Sequence, residues 1–149
     1  SNPDIHLHLI GKLQTNKVKY AVKIFDYIHS VDSEKLAKKI SDEEIKINKK
    51  IKIFIQVNIG QEDQKSGINL SELSSLISYC SKINLDVVGL MCIPPMNVDS
   101  VSYFQKMKKL NEENNFFELS MGMSSDYLEA IKFKANYLRI GTKIFGQRN

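Results

Sequence analysis

The residues best suited to chemistry follow two successive short apolar segments near the end of the sequence. Ser124 comes after the first segment, and Gly141 and Thr142 come after the second. Small residues of this kind offer backbone N–H groups and hydroxyls without bulk, and one phosphate dianion needs such donors. Two ordinary strand-to-helix turns would carry the same residue types. The spacing therefore leaves both a phosphate site and a pair of structural turns open.

Arg139 stands two residues before Gly141. In an extended strand, residues two apart lie on the same face, so this arginine and the glycine should face one side of the sheet. Its guanidinium is a permanent cation with several donors. A strand-end arginine paired with an acid is the structural alternative to a role in ligand binding.

The elements that would position these residues alternate between extended and helical patterns. Six segments are apolar and short enough for strands: 5–10, 26–31, 51–58, 85–93, 116–121 and 137–140. Helical spacing lies between them, as at Val18, Ala21, Val22 and Phe25. Alternation of this kind predicts parallel strands joined by right-handed crossovers. An open doubly wound sheet and most of a (β/α)8 barrel both fit, and a phosphate site at the last two strand ends favours the barrel.

The helix starts carry candidate capping residues, and one polar segment separates a helix from a strand. Hydroxyl side chains at a helix start can accept an otherwise unpaired backbone N–H. The predicted caps are Thr15, Ser33, Ser71 and either Ser124 or Ser125. The polar segment 41–50 is predicted to be a surface connection.

Composition excludes several classes of protein. The 149 residues with 42% hydrophobic content predict one domain over 1–149. The net charge of +4 comes from lysines spread among acids, which argues against nucleic-acid binding. No apolar run is long enough to span a membrane, and no signal peptide is evident. Cys80 and Cys92 are predicted to be buried thiols in a reducing compartment, so we expect a cytoplasmic protein.

No metal site is predicted. His6 and His8 share one strand face without a third ligand nearby, and a structural role is expected for all three histidines, including His29. His8 is expected to orient a neighbouring side chain. No nucleophile–histidine–acid arrangement and no nucleotide-binding glycine motif is found.

Five ordered stretches resemble the pyridoxal phosphate homeostasis protein family, also called the proline synthase co-transcribed proteins. The resemblance spans nearly the whole chain and rests on 8–17, 55–58 with 65–68, 89–91, 119–125 and 138–146. Two departures are Leu7, where the family usually has Trp, and the segment 134–136, which replaces a more glycine-rich turn.

The resemblance implies a (β/α)8 barrel of the alanine racemase N-terminal-domain type that binds pyridoxal 5'-phosphate. It places Ser124, Gly141 and Thr142 at the phosphate and Arg139 at the pyridine nitrogen. Asn16, Asn58, Met91 and Met123 complete the predicted cofactor-binding residues. The implied role is storage or delivery of the cofactor inside the cell, without established turnover and without catalytic residues.

The match begins almost at residue 1, whereas the family has a further N-terminal part whose lysine binds the cofactor covalently. We therefore expect about six of the eight barrel strands here and only weak, non-covalent cofactor binding. Lys12, Lys17, Lys65 and Lys143 are the lysines nearest the motifs, but they lie in polar surroundings that do not favour a covalent role. An incomplete barrel exposes two sheet edges, so self-association or pairing with the missing N-terminal segment is expected.

A racemase-like enzyme that uses pyridoxal phosphate, or another phosphate-handling barrel enzyme, is the alternative function. A racemase would need a second acid or base, usually a tyrosine or cysteine from a separate domain. A hydrolase or isomerase would need paired carboxylates at strand ends, and the predicted strand ends do not offer them.

Overall fold

A computed structural model describes residues 4–63 and 65–149 of the chain. In these ranges the strands are β1 (His8–Leu9), β2 (Tyr27–Val31), β3 (Lys52–Gln56), β4 (Asp86–Met91), β5 (Glu118–Met123) and β6 (Tyr137–Arg139). The helices are α1 (Val18–Ile24), α2 (Glu34–Ile47), α3 (Leu70–Lys82), α4 (Val101–Glu113), α5 (Tyr127–Lys132) and α6 (Thr142–Phe145), and a 3-10 turn at Thr15–Lys17 precedes α1.

The six strands form one parallel sheet in the sequential order β1-β2-β3-β4-β5-β6. A doubly wound sheet reverses its strand order at a switch point, whereas a barrel adds each strand beside the preceding one. The order therefore confirms the barrel, present here as six of eight strands. All strands point the same way, so their carboxyl ends meet at one edge.

The sheet packs on both of its faces, as its almost continuously apolar central strand predicts. Ile53 and Ile55 of β3 are fully buried in the core between the sheet and its helices. Phe54 points to the opposite face, where it packs with Tyr27 and Met91 in a second, inner cluster. The inner cluster is the wall that a barrel interior would have.

The segment 41–50 does not form a surface connection, because α2 continues to Ile47. Its polar residues serve tertiary structure: the Ser41 hydroxyl donates to the Ile83 carbonyl, and Glu44 Oε2 accepts the backbone N–H of Ile51 at 2.6 Å. Lys39 and Lys46 bind Glu43 within the helix. Asn48 follows the last helical residue and ends the helix with a φ of 51°, in the left-handed region.

Of the predicted caps, only Ser33 is confirmed, since its Oγ accepts the N–H of Leu36 at 3.2 Å. The other three predictions are wrong. Asn69 precedes α3, so Ser71 lies inside the helix, and Asp126 precedes α5 in place of Ser124 or Ser125. Thr15 begins the 3-10 turn, and Lys17 is the residue that precedes α1.

The strands occupy less of the chain than the apolar patterns indicate. β1 pairs only through His8 and Leu9, and β5 starts at Glu118, leaving Phe117 92% exposed. Cys80 and Cys92 are free and buried, as predicted, and burial raises the pKa of their thiols to about 11 and about 12. Among the described residues, no helix combines the length and the apolar content that crossing a bilayer requires.

Candidate functional site

A cavity of about 570 Å³ lies at the carboxyl ends of β5 and β6. Five of the eight predicted cofactor-binding residues line it together. Its lining residues are Met123, Ser124, Ser125, Arg139, Gly141, Thr142, Phe145, Gly146 and Arg148. The carboxyl ends of two successive strands therefore meet at one opening.

A bulge in β5 sets the direction in which this strand reaches the cavity. Ser120 pairs with Tyr137 and Met123 pairs with Arg139, so β5 has one residue more than β6 between the two pairs. Gly122 lies in the bulge with a φ of +104°, and an added Cβ would come within 2.7 Å of the Ala130 side chain. Only glycine meets both requirements without strain.

The turn after β5 brings the Ser124 hydroxyl to the start of α6. Ser124 Oγ accepts the backbone N–H groups of Gly141 at 3.1 Å and of Lys143 at 3.3 Å. The Asp126 carboxylate holds the turn by accepting the N–H of Met123 at 2.8 Å. Two backbone donors thus converge on a single oxygen atom, which is the arrangement that an oxyanion uses.

Arg139 lies at the same opening and is held by neutral partners rather than by an acid. One terminal nitrogen donates to Ser120 Oγ at 2.8 Å, and the other donates to the Cys92 carbonyl at 2.8 Å. Its Nε is buried and has no hydrogen-bond partner among the described residues. Burial lowers the pKa of Arg139 from its ordinary value, but the group remains a cation.

A row of hydrogen-bonded polar side chains continues from Arg139 across the inner face of the sheet. Ser120 Oγ lies 2.8 Å from His29 Nδ1, and His29 Nε2 lies 2.9 Å from His8 Nδ1. Burial, and then the nearby His8 and Arg139, lower the pKa of His29 to about 3. His29 is therefore neutral at physiological pH. The neighbour that His8 was expected to orient is His29.

Aromatic rings surround this row of polar side chains. His29 stacks on Phe54 with ring centroids 4.3 Å apart, and His8 stacks on Tyr27 at 4.1 Å. Met91 is fully buried beside these rings in the inner cluster. It lies in the wall of the barrel interior and does not line the cavity.

Asn58 and Asn16 lie elsewhere. The Asn58 amide closes its own loop, donating to the Glu62 carbonyl at 2.8 Å and accepting the Glu62 N–H at 3.1 Å. Asn16 is exposed and lines a separate groove beside Lys35, Lys38 and Lys39 of α2. Neither is brought to the cavity at β5 and β6, and their roles in cofactor binding stay predictions.

Part of the site does not follow from the predictions above. Ser120 was not predicted to be a site residue, and His29 was predicted to be structural. A polar residue inside a strand that is covered on both faces is the signal that points to both. Phe145 and Arg148 line the cavity without any pattern that singles them out. Lys12, Lys17, Lys65 and Lys143 are all exposed, and no metal-binding group of three His, Cys, Asp or Glu side chains occurs within 4–63 and 65–149.

The model of the alanine racemase N-terminal domain matches residues 3–149 of this chain. A curated pyridoxal phosphate homeostasis protein from Aquifex aeolicus is 41% identical, over 97% of this chain and 68% of the relative. The one from Synechocystis is 37% identical, over 97% of this chain and 71% of the relative. The chain thus spans about two thirds of the length of the curated relatives that it matches.

Solved structures are similar to this chain over nearly its whole length. The chain is similar to PipY of Synechococcus elongatus with pyridoxal phosphate bound, at a TM-score of 0.89 and 33% identity, over 97% of this chain and 72% of PipY. Alanine racemase of Clostridium difficile matches at a TM-score of 0.74 and 16% identity, over 97% of this chain and 41% of the racemase. The second likeness shows the fold alone.

Proposed function

This chain belongs to the pyridoxal phosphate homeostasis protein family, and on that premise we propose that it binds pyridoxal 5'-phosphate without a covalent bond, in the cavity at the ends of β5 and β6. Its role is then to hold the cofactor for storage or delivery. The observation that carries this proposal is the meeting of Ser124, Thr142 and Arg139 at one opening.

The phosphate fits the side of the cavity where β5 and α6 meet. Two backbone N–H groups already converge on Ser124 Oγ, and this hydroxyl keeps its own hydrogen to donate to a phosphate oxygen. Thr142 adds a second hydroxyl, and Arg148 adds a positive charge to the lining. An oxyanion of high charge density is the ligand that such a donor set favours.

The heterocycle fits the side where Arg139 lies. A buried donor without a partner costs free energy, and the pyridine nitrogen is an acceptor that can remove this cost at Nε. The bound cofactor supplies an electron-withdrawing ring, whose strength as an electron sink depends on protonation of that nitrogen. A permanent cation at this place opposes protonation of the pyridine nitrogen. The arrangement therefore favours holding the cofactor over using it for catalysis.

The composition of the cavity also supports holding. Within the described part of the chain, its lining residues include no His, Cys, Asp, Glu, Lys or Tyr. A site that moves protons on an amino acid needs a group that titrates near neutral pH. We infer that turnover needs groups that these lining residues do not supply.

We extend the proposal to setting and organisation. Residues 1–149 act as one domain, since one core runs from α1 to α5. We place the protein in the cytoplasm, because both of its cysteines are free and buried thiols persist in a reducing compartment. We do not assign nucleic acid or a membrane as a partner.

Equilibrium dialysis with pyridoxal phosphate and with inorganic phosphate tests the proposal. Ser124→Ala should weaken binding of both ligands, by about tenfold for the loss of one hydrogen bond to a charged group. Arg139→Lys keeps the charge but loses the planar fork, so it should weaken pyridoxal phosphate binding and leave phosphate binding unchanged. Visible absorption should show no covalent lysine adduct.

Ser71→Ala is the matched control, since Ser71 is an exposed helical serine outside the cavity. Its affinity for both ligands should equal that of the wild type. Equal binding by wild type, Ser124→Ala and Arg139→Lys would place the ligand elsewhere on the molecule. A strong covalent band from this chain alone would contradict the non-covalent mode.

A further inference from the structure

The hydrogen bonds from Arg139 to His8 run in one direction. A guanidinium can only donate, so Ser120 Oγ accepts from Arg139. Ser120 is fully buried, and its own hydrogen has one acceptor in reach within the described residues, His29 Nδ1 at 2.8 Å. His29 Nδ1 therefore carries no hydrogen.

The tautomer of His29 then fixes the role of His8. A neutral imidazole that accepts at Nδ1 carries its hydrogen on Nε2, and this N–H donates to His8 Nδ1 at 2.9 Å. The reverse order, with His8 donating to His29 and His29 donating to Ser120, would leave the buried Ser120 hydroxyl hydrogen unpaired. The network is thus satisfied by one arrangement of its hydrogens.

We propose that Ser120 and His29 are positioning residues for the cofactor site, which hold the Arg139 guanidinium through a one-directional hydrogen-bond chain that ends at His8. This inference rests on the proposed function and extends it from the cavity to the far side of the sheet. The four residues of this hydrogen-bond chain lie in four strands, and the hydrogen bonds therefore link the last strand of the sheet to the first. They are Arg139 in β6, Ser120 in β5, His29 in β2 and His8 in β1.

The surroundings keep both imidazoles neutral. Burial and then His6 lower the pKa of His8, whereas Asp26 raises it. Burial, and then His8 and Arg139, lower the pKa of His29. Phe54 stacks on His29 and offers no charge. The titratable groups facing the two rings are His6, Tyr27, Asp26, Tyr137 and Arg139.

A proton on His8 Nδ1 would oppose the chain, because its N–H would then meet the N–H of His29. Relief requires His29 to move its hydrogen to Nδ1, and this hydrogen would meet the Ser120 hydroxyl hydrogen. Ser120 Oγ would then accept from both His29 and Arg139, and its own buried hydrogen would have no acceptor among the described residues. A proton on His8 therefore weakens the hydrogen-bond chain that holds the guanidinium.

Nitrogen-15 NMR of the whole polypeptide, recorded without any ligand, tests these hydrogen bonds. Long-range correlations between imidazole nitrogens and ring hydrogens identify the tautomer. His29 should carry its hydrogen on Nε2 and stay neutral from pH 7 down to about 5, as its depressed pKa requires. Ser120→Ala removes the donor to His29 Nδ1, so the chemical shift of this nitrogen should move toward that of an imidazole nitrogen that accepts no hydrogen bond. A hydrogen on Nδ1 in the wild type, or an unchanged Nδ1 chemical shift in Ser120→Ala, would overturn the inference.

Ligand binding then tests the positioning role. Ser120→Ala should weaken pyridoxal phosphate binding by about tenfold, the usual effect of losing one hydrogen bond to a charged group. Binding of inorganic phosphate should not change, since Ser120 does not line the cavity. His29→Phe keeps a ring to stack on Phe54 but removes both nitrogens, and it should give the same selective loss.

Ser30→Ala is the matched control for Ser120→Ala. Ser30 is also a buried strand serine, but its hydroxyl makes no hydrogen bond within the described residues. This variant should keep both the His29 tautomer and the affinity. If wild type binds pyridoxal phosphate and Ser120→Ala binds it equally well, the positioning role fails while the proposed function stands. If wild type does not bind it, both fail, and the tautomer alone reports whether the chain exists.

Discussion

The chemistry of the site depends on a buried cation held by neutral oxygens. Arg139 donates to a hydroxyl and to a carbonyl, and it forms no ion pair in the described part of the chain. A partner of opposite charge would compensate the guanidinium and reduce its attraction for a ligand. Neutral acceptors fix its position and leave its charge available to a ligand in the cavity.

A second buried charge, Glu44, has a purely structural role that pH can reveal. It is 4% exposed, and Lys50 Nζ lies 3.9 Å from Oε1. Burial raises the pKa of Glu44 above 4.5, and the hydrogen bond from Ile51 and the charge of Lys50 oppose this rise. Since the folded pKa is above the unfolded one, Glu44 stabilises the fold below pH 4.5, and this stability is lost as pH rises through the folded pKa.

Glu44→Gln keeps an acceptor for Ile51 and removes the charge. The wild type loses stability as Glu44 ionises, and the variant does not. The free energy of unfolding of the variant minus that of the wild type should therefore be larger at pH 7 than at pH 4, by about 1.4 kcal/mol for each unit by which the pKa is raised. Urea unfolding at the two pH values measures this difference. Glu43→Gln is the matched control of opposite sign, because Lys46 and Lys39 lower the pKa of Glu43. Equal shifts in both variants would contradict the assignment.

At the scale of single elements, α2 and α3 offer a direct comparison of two serines. Ser33 Oγ accepts the N–H of Leu36, so Ser33→Ala should cost about 1 kcal/mol of unfolding free energy. Ser71 lies inside α3 and is exposed, so Ser71→Ala should change it by less than about 0.5 kcal/mol. Thermal and urea denaturation of both variants measure the two effects. A larger loss for Ser71→Ala would mean that α3 begins differently.

The pairing of β4 with β5 depends on a glycine. Gly89 is opposite Glu118, and an added Cβ would overlap the Glu118 carbonyl and come within 3.1 Å of Phe54. Gly89→Ala should therefore cost at least about 1–3 kcal/mol, the usual effect of overpacking. Gly11→Ala is the control, because an added Cβ there meets no atom within 4 Å. Comparable stability of the two variants in urea would show that β4 and β5 can separate without cost.

The order of the elements could be predicted from sequence because apolar periodicity records local burial. The extension of α2 to Ile47 could not, because Glu43 and Glu44 look like surface residues until β3 and the lysines are in place. The same contrast holds at the site. The local pattern of strand ends is enough to predict four of the site residues: Ser124, Arg139, Gly141 and Thr142. The hydrogen bond between His29 and Ser120 joins residues 91 positions apart, so no local pattern predicts it.

At the scale of the whole molecule, the sheet has two free edges. β1 and β6 are its outer strands in the described ranges, and a closed barrel would pair them with further strands. Exposed apolar side chains accompany both edges. They are Ile5, Leu7 and Ile10 beside β1, and Ile144 and Phe145 after β6. Unpaired backbone groups next to apolar side chains are a template for association.

We therefore predict that this chain on its own self-associates or is only marginally stable, unless a further barrel segment pairs with it. Sedimentation velocity over a wide concentration range should show oligomers, and the melting temperature should rise with concentration. Leu7→Lys places a charge beside the β1 edge and should shift the chain toward monomer. Ile45→Lys is the control, since Ile45 is 76% exposed on α2. A monomer that unfolds cooperatively at a concentration-independent temperature would contradict this prediction, because such a chain would satisfy its edge strands without a partner.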